Sequence, residues 1–194
     1  MRNGVGGNGL SRYKRHHCLL LSADNNHRNA KSLITKLQEL GVKELYHSPL
    51  TLVELYSYVS RNADILNIPE ELRELIRTKE QRVRVIAEYC LSSLSSLTTS
   101  VFISDTEGLI NLIINNLPNV RIFHKFAEAL RLAPELQLPS LDLLHIIYAR
   151  QVPERIKYFA TLDKAIIGKA ESIKNALGIE VITAPPQDSE EIRQ

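Results

Sequence analysis

The stretch LPSLDLLHIIYARQVPERIKYFATLDKAIIGKAESIKNALGIEVI, residues 138–182, constrains this chain more than any other. Ser140 stands where an N-cap is expected, and Leu141, Leu144, Ile147 and Tyr148 recur at helical spacing. Residues 157–161 are a short apolar and aromatic run of strand length. A second helix is expected through Ala165, Ile166, Ala170, Ile173 and Leu177, with Gly178 suited to the position just past its end. The β-branched residues 179–182 give another strand. Helix, strand, helix and strand in that order predict a βαβ unit, and so a parallel sheet whose functional edge lies at the strand C-termini. Asp163 falls just past the first of those strands and Asp142 in the first turn of the helix before it, so both carboxylates are expected to face one crevice.

The same alternation runs through the rest of the chain. A helix over 28–40 buries Ala30, Leu33, Ile34 and Leu37 and stops at Gly41; a strand follows at 44–47. Ser48 is read as a cap and Pro49 as the opening of the next helix, which points Leu52, Val53, Tyr56 and Val59 inward and holds Glu54 in its second turn. Residues 62–68 connect to a charged helical region over 69–97, where Arg73, Arg77, Lys79, Arg82 and Arg84 form either a solvated face or an RNA-facing strip. A buried strand over 100–104, a helix over 106–116, a minor extended piece at 120–122 and a short helix over 124–132 lead back to the stretch quoted above. Strands alternating with helices throughout make the class α/β.

At 194 residues the chain fits one domain, or one domain with a helical insert. No apolar run approaches the roughly 18 residues that span a membrane, and the run 18–21 is too short for a signal-peptide core, so a cytoplasmic protein is expected. Cys18 and Cys90 have neither metal nor redox spacing and read as two reduced thiols. Residues 1–23 hold Arg2, Arg12, Lys14 and Arg15 with no acid, against 20 basic and 22 acidic residues in the remainder. Residues 1–17 therefore read as a basic, disordered arm, able to touch phosphate backbones. Gly4, Gly6 and Gly9 spell G-x-G-x-x-G, but with no strand before them the dinucleotide reading is rejected. His16 and His17 are adjacent, point apart and make no metal pair. Cys18 and the residues to Ser22 are read as a clipped first strand or the helical turn after one.

LDLLHIIYA followed by YFATLDKAI resembles the C-terminal half of the PIN domain family, a metal-dependent nuclease fold. LYHSPLTLVELYSYVSR is similar to that family's second strand and following helix, with Glu54 at the helix's acidic position. The resemblance covers residues 19–182 and implies a three-layer α/β fold with a central, mainly parallel sheet. Its boundaries would be a single domain over 18–184 with a helical insert at 69–97, and a tail over 185–194. It also implies a ribonuclease that hydrolyses RNA with Mg²⁺ or Mn²⁺. Those ions prefer hard oxygen ligands, hold the phosphate and generate hydroxide from bound water. The resemblance assigns the ligands to Glu54, Asp142 and Asp163, with Thr161 orienting a carboxylate or a water; for each acid taken alone, a surface or N-cap role is the ordinary alternative. His145, one turn after Asp142 among apolar neighbours, reads as a packed, hydrogen-bonded histidine. An antitoxin protein and a second copy of the chain are partners that the family implies.

The front of the chain departs from this pattern. Family members open with a strand ending in Asp, but residues 1–23 contain no acid. Asp24 is the substitute, with Asp105 and Glu107, after the strand over 100–104, as further candidates for the same edge. One hypothesis for the acid-free segment is that this N-terminus is not the ancestral one, owing to a frame change or a misplaced start. Two alternatives to the ribonuclease stand beside it. One is a catalytically degenerate PIN-like module that binds RNA or a protein without cleavage. The other is a nucleotide-binding α/β domain, for which no G-x-x-x-x-G-K-[ST] loop is present.

Overall fold

A computed structural model describes residues 8–11, 27–66, 68–97, 99–104, 108–112, 120–152 and 156–185. It is a mixed α/β structure. The strands are β1 (Asn8–Ser11), β2 (Glu44–His47), β3 (Thr99–Phe102), β4 (Leu109–Leu112), β5 (Val120–Phe123), β6 (Ile156–Ala160) and β7 (Glu180–Ile182). The helices are α1 (His27–Glu39), α2 (Leu50–Asn62), α3 (Glu70–Arg73), α4 (Lys79–Leu97), α5 (His124–Leu136), α6 (Ser140–Gln151), α7 (Lys164–Ile167) and α8 (Ala170–Leu177).

Five strands form one sheet in the order β3-β2-β1-β6-β7, and every neighbouring pair in it is parallel. From β1 the chain steps one way to β2 and β3, then crosses to β6 and β7 on the other side. The order therefore reverses between β1 and β6, and the C-terminal ends of those strands are where open parallel sheets form a crevice. β4 and β5 pair antiparallel as a separate two-stranded ribbon.

Apolar periodicity accounts for the packing. Ala30, Leu33, Ile34 and Leu37 lie on one stripe of α1, and all four are buried with Leu45, Tyr158, Ala160 and Ile182. Phe159, between Tyr158 and Ala160, points to the other face and packs with Leu132 and Leu136 of α5, Ile146 and Ile147 of α6 and Ile173 of α8. Both faces of β6 are covered where its apolar residues Tyr158, Phe159 and Ala160 lie. A third cluster joins Leu55 and Val59 of α2 to Ile86, Ala87 and Cys90 of α4. α1 ends in a left-handed glycine: Gly41, at φ +74°, donates to the Gln38 carbonyl at 2.9 Å while Val42 donates to Leu37 at 3.0 Å. Gly178, at φ +70°, closes α8 in the expected place.

Several expectations are corrected. Residues 8–11, placed in a disordered arm, form the middle strand of the sheet. The run 18–22 read as a first strand lies outside the described residues, as do Cys18, His16, His17, Asp24, Asp105 and Glu107. Within the helix expected over 106–116, residues 109–112 are instead β4, held by antiparallel pairing with β5. The strand expected over 100–104 is Thr99–Phe102 and lies half-exposed at the edge of the sheet rather than buried. Val53 and Tyr56 face solvent, and Thr51, Glu54, Leu55 and Val59 form the buried side of α2. That helix serves two neighbours, α4 through Leu55 and Val59 and α6 through Glu54. The helix after Asp163 is broken at Gly168 into α7 and α8, and the helical region over 69–97 comprises α3 and α4.

Of the five basic residues read as a face or strip, Arg82 and Arg84 are engaged with the protein itself. Arg82 is half-buried and donates to the carbonyls of Ala63 at 2.6 Å and Leu66 at 3.2 Å, which ties α4 to the turn after α2. Arg84 pairs with Glu88 at 2.7 Å. No helix among the described residues is long and apolar enough to cross a membrane.

Candidate functional site

The C-terminal edge of the parallel sheet gathers an unusual share of buried polar side chains. Ser48 follows β2, Thr51 and Glu54 lie on the α2 that leaves it, Thr161 follows β6, and Asp142 and His145 lie on α6, which runs back toward β6. All six are buried, Asp142 with 6% and Glu54 with 8% of its surface exposed. Charged and polar groups are seldom placed so unless they are paired or functional.

Ser48, His145 and Glu54 form a continuous chain. Ser48 Oγ lies 2.8 Å from His145 Nδ1, joining residues 97 positions apart. On the other side of the ring, Nε2 lies 3.2 Å from Glu54 Oε2, close enough for an ion pair but not aligned as a hydrogen bond. A carboxylate facing Nε2 favours the tautomer protonated there, so the Ser48 hydroxyl donates to Nδ1. The order hydroxyl, imidazole, carboxylate is that of a nucleophilic triad. With Ser48 wholly buried, however, no substrate atom reaches its oxygen. The chain instead ties the end of β2, the first turns of α2 and the body of α6 to one another.

Ser48 was expected to cap α2. Its hydroxyl is spent on His145, and neither α2 nor α6 carries a side-chain hydrogen bond at its cap. Ser140 likewise stands inside α6, behind Pro139 at the cap position. The reading of His145 as packed and hydrogen-bonded matches its place. Thr51 Oγ1 is buried and has no hydrogen-bond partner among the described residues.

Asp163 lies at the same edge but has a different occupation. Its Oδ1 accepts from the backbone N–H of Ala165 at 2.8 Å, which makes it the N-cap of α7. Thr161 Oγ1 accepts from the Asp163 N–H at 3.0 Å, and the Thr161 N–H donates to the Ile182 carbonyl at 2.9 Å. Thr161 therefore fixes the backbone that presents Asp163, rather than reaching its carboxylate.

Glu54, Asp142 and Asp163 thus share one rim of the sheet, as the topology dictates. Yet Glu54 faces His145, and Asp163 faces its own helix. Among the described residues no three His, Cys, Asp or Glu side chains come together as a group that could hold a metal ion. The fourth ligand expected, Asp24, lies outside the described residues. Sequence reading missed Ser48 and Thr51 as members of the cluster; their spacing of three residues with Glu54 along one helical face was the available signal. No protein-family model matches the chain, and no curated protein or solved structure matches it either.

Proposed function

We propose that this chain is a three-layer PIN-like module that engages RNA at the C-terminal rim of its parallel sheet without cleaving it. The observation that carries this reading is the occupation of two carboxylates. Glu54 lies against His145 and Asp163 caps α7 through the Ala165 N–H, so each acid already has a partner within the protein. The Ala165 N–H at Asp163 also offsets part of the negative charge that would otherwise repel a phosphate backbone. The resemblance of the motifs around Glu54, Asp142 and Asp163, together with the strand order β3-β2-β1-β6-β7, supports the fold and the class of ligand. The absence of an acid from residues 1–23 bears on cleavage, because a missing metal-ligating carboxylate costs most of a metal-dependent rate.

A second reading, Mg²⁺- or Mn²⁺-dependent hydrolysis of RNA, is favoured by one specific observation. Glu54, Asp142 and Asp163 all sit at the same sheet edge, across the point where strand order reverses. One experiment separates the two. Full-length protein is mixed with labelled single-stranded RNA in EDTA or in Mn²⁺, and both anisotropy and strand integrity are read. The binding module gives intact RNA and an affinity that falls with salt but is equal in both buffers. Asp142→Asn should then tighten binding by removing a repelling charge. Manganese-dependent cleavage abolished by Asp142→Asn would establish the nuclease instead, and no binding at low salt would sink both readings.

A further inference from the structure

A polar cavity lies away from this rim, where α5 begins and α6 ends. It has a volume of about 350 Å³ and is lined by His124, Ala127, Glu128, Arg131 and Arg150. Arg150 follows Asp142 by eight residues on α6, about 12 Å along the axis, so the cavity belongs to the opposite end of that helix.

We propose that this cavity is a binding site for a phosphate group. One carboxylate oxygen, Glu128 Oε1, holds both guanidiniums, Arg150 Nη1 at 3.0 Å and Arg131 Nη2 at 3.7 Å. Two cations thus meet a single anion, and among the described residues that line the cavity there is no other acid. A positive charge is left over in a concave site. Each guanidinium carries five N–H donors in a rigid fork, and Glu128 accepts a hydrogen bond from Arg150 while it only pairs in charge with Arg131, so donors remain for the oxygens of a tetrahedral anion. Glu128 is itself mostly covered, with a side chain 14% exposed, and acts as the fixed post that keeps the two forks side by side. The arginines remain open to solvent at 64% and 41%. The adjoining N-terminus of α5, a helix of 13 residues, has no side-chain hydrogen bond at its cap Phe123, so its positive end adds to the field. Exposed ion pairs of this kind add little to stability, which leaves recognition as the better account of three charges in one hollow.

The phosphate has two possible sources, a free phosphate or phosphomonoester and the backbone of the RNA strand proposed above. Inorganic phosphate is the probe for the shared chemistry and does not depend on the RNA reading. In amide NMR titrations of the full chain, phosphate should move the resonances of residues 124–131 and 150 in a saturating manner. Arg131→Ala/Arg150→Ala should weaken that response at least about 10-fold, and Arg131→Lys/Arg150→Lys, which keeps charge but loses the fork, should recover only part of it. Both sites are exposed, so the variants should keep the native dispersion of peaks. A parallel titration with single-stranded RNA identifies the source. If the alanine pair lowers the slope of log affinity against log salt by about 2, the ligand is the RNA backbone. If RNA binding is unchanged while phosphate binding is lost, the ligand is a free phosphate or monoester. A phosphate response that is absent, or identical in wild type and the alanine pair, overturns the proposal even where RNA binds elsewhere.

Discussion

The imidazole of His145 is held from both sides, by the Ser48 hydroxyl at 2.8 Å and the Glu54 carboxylate at 3.2 Å, in surroundings that admit almost no water. In such a place the cost of losing one partner is set by desolvation rather than by the bond itself. Ser48→Ala leaves Nδ1 buried without its donor and is expected to destabilise the fold by about 1–3 kcal/mol. Urea unfolding measures this, and a loss no larger than that of an exposed Ser→Ala control would show the hydroxyl to be idle. The burial of His145 was legible from its apolar neighbours Leu144, Ile146 and Ile147. Its partner was not. Ser48-Pro49 carries a strong local helix-start signal, and a contact spanning 97 positions leaves no trace in local pattern. Asp163 shows the converse: an N-cap role was its plain local reading, and its carboxylate fills that role by accepting from the Ala165 N–H.

At the scale of elements, β1 separates what pattern can and cannot reveal. α1, β2, α6 and β6 announce themselves because each has an apolar stripe or run matched to one period. The β1 sequence, NGLS, has low strand propensity and no alternation. It is a strand because β2 and β6 bracket it, Leu10 pairing with Tyr46 on one side and with Phe159 on the other. Tertiary pairing overrides local preference here. β4 was mistaken for helix for a related reason, since four residues with three apolar ones fit either period until their partner is known. Because β1 is central, its backbone N–H groups have ladder work on both edges. Leu10→Pro removes a donor and forces a fixed φ into the middle of the sheet, and is expected to cost about 3 kcal/mol or more. A thermal melt by circular dichroism checks it; an unchanged midpoint would mean that the sheet stands without β1.

For the whole molecule, stability should respond to alkali through one thiol. Cys90 is buried between α2 and α4, and burial pushes its pKa from the ordinary 9.0 up to about 11. The folded state therefore holds this proton more tightly than the unfolded chain does. The resulting stability is complete below pH 9.0 and drains away as the pH rises through about 11. It amounts to at most about 3 kcal/mol. Urea midpoints should fall across that interval, and Cys90→Ala should flatten the fall whatever it does to the plateau. A slope that is identical in the variant would assign the alkaline loss to other groups.

The pairing of residues 8–11 with 156–160 has a further consequence for how this architecture comes into being. During synthesis, Gly9 leaves the ribosome long before Tyr158, the residue it will lie beside. Until then the segment that becomes the middle of the sheet presents a bare edge, and helices made in the interval have only half of their platform. High contact order of this kind slows closure and lengthens the time in which another nascent chain, or a chaperone, finds that edge first.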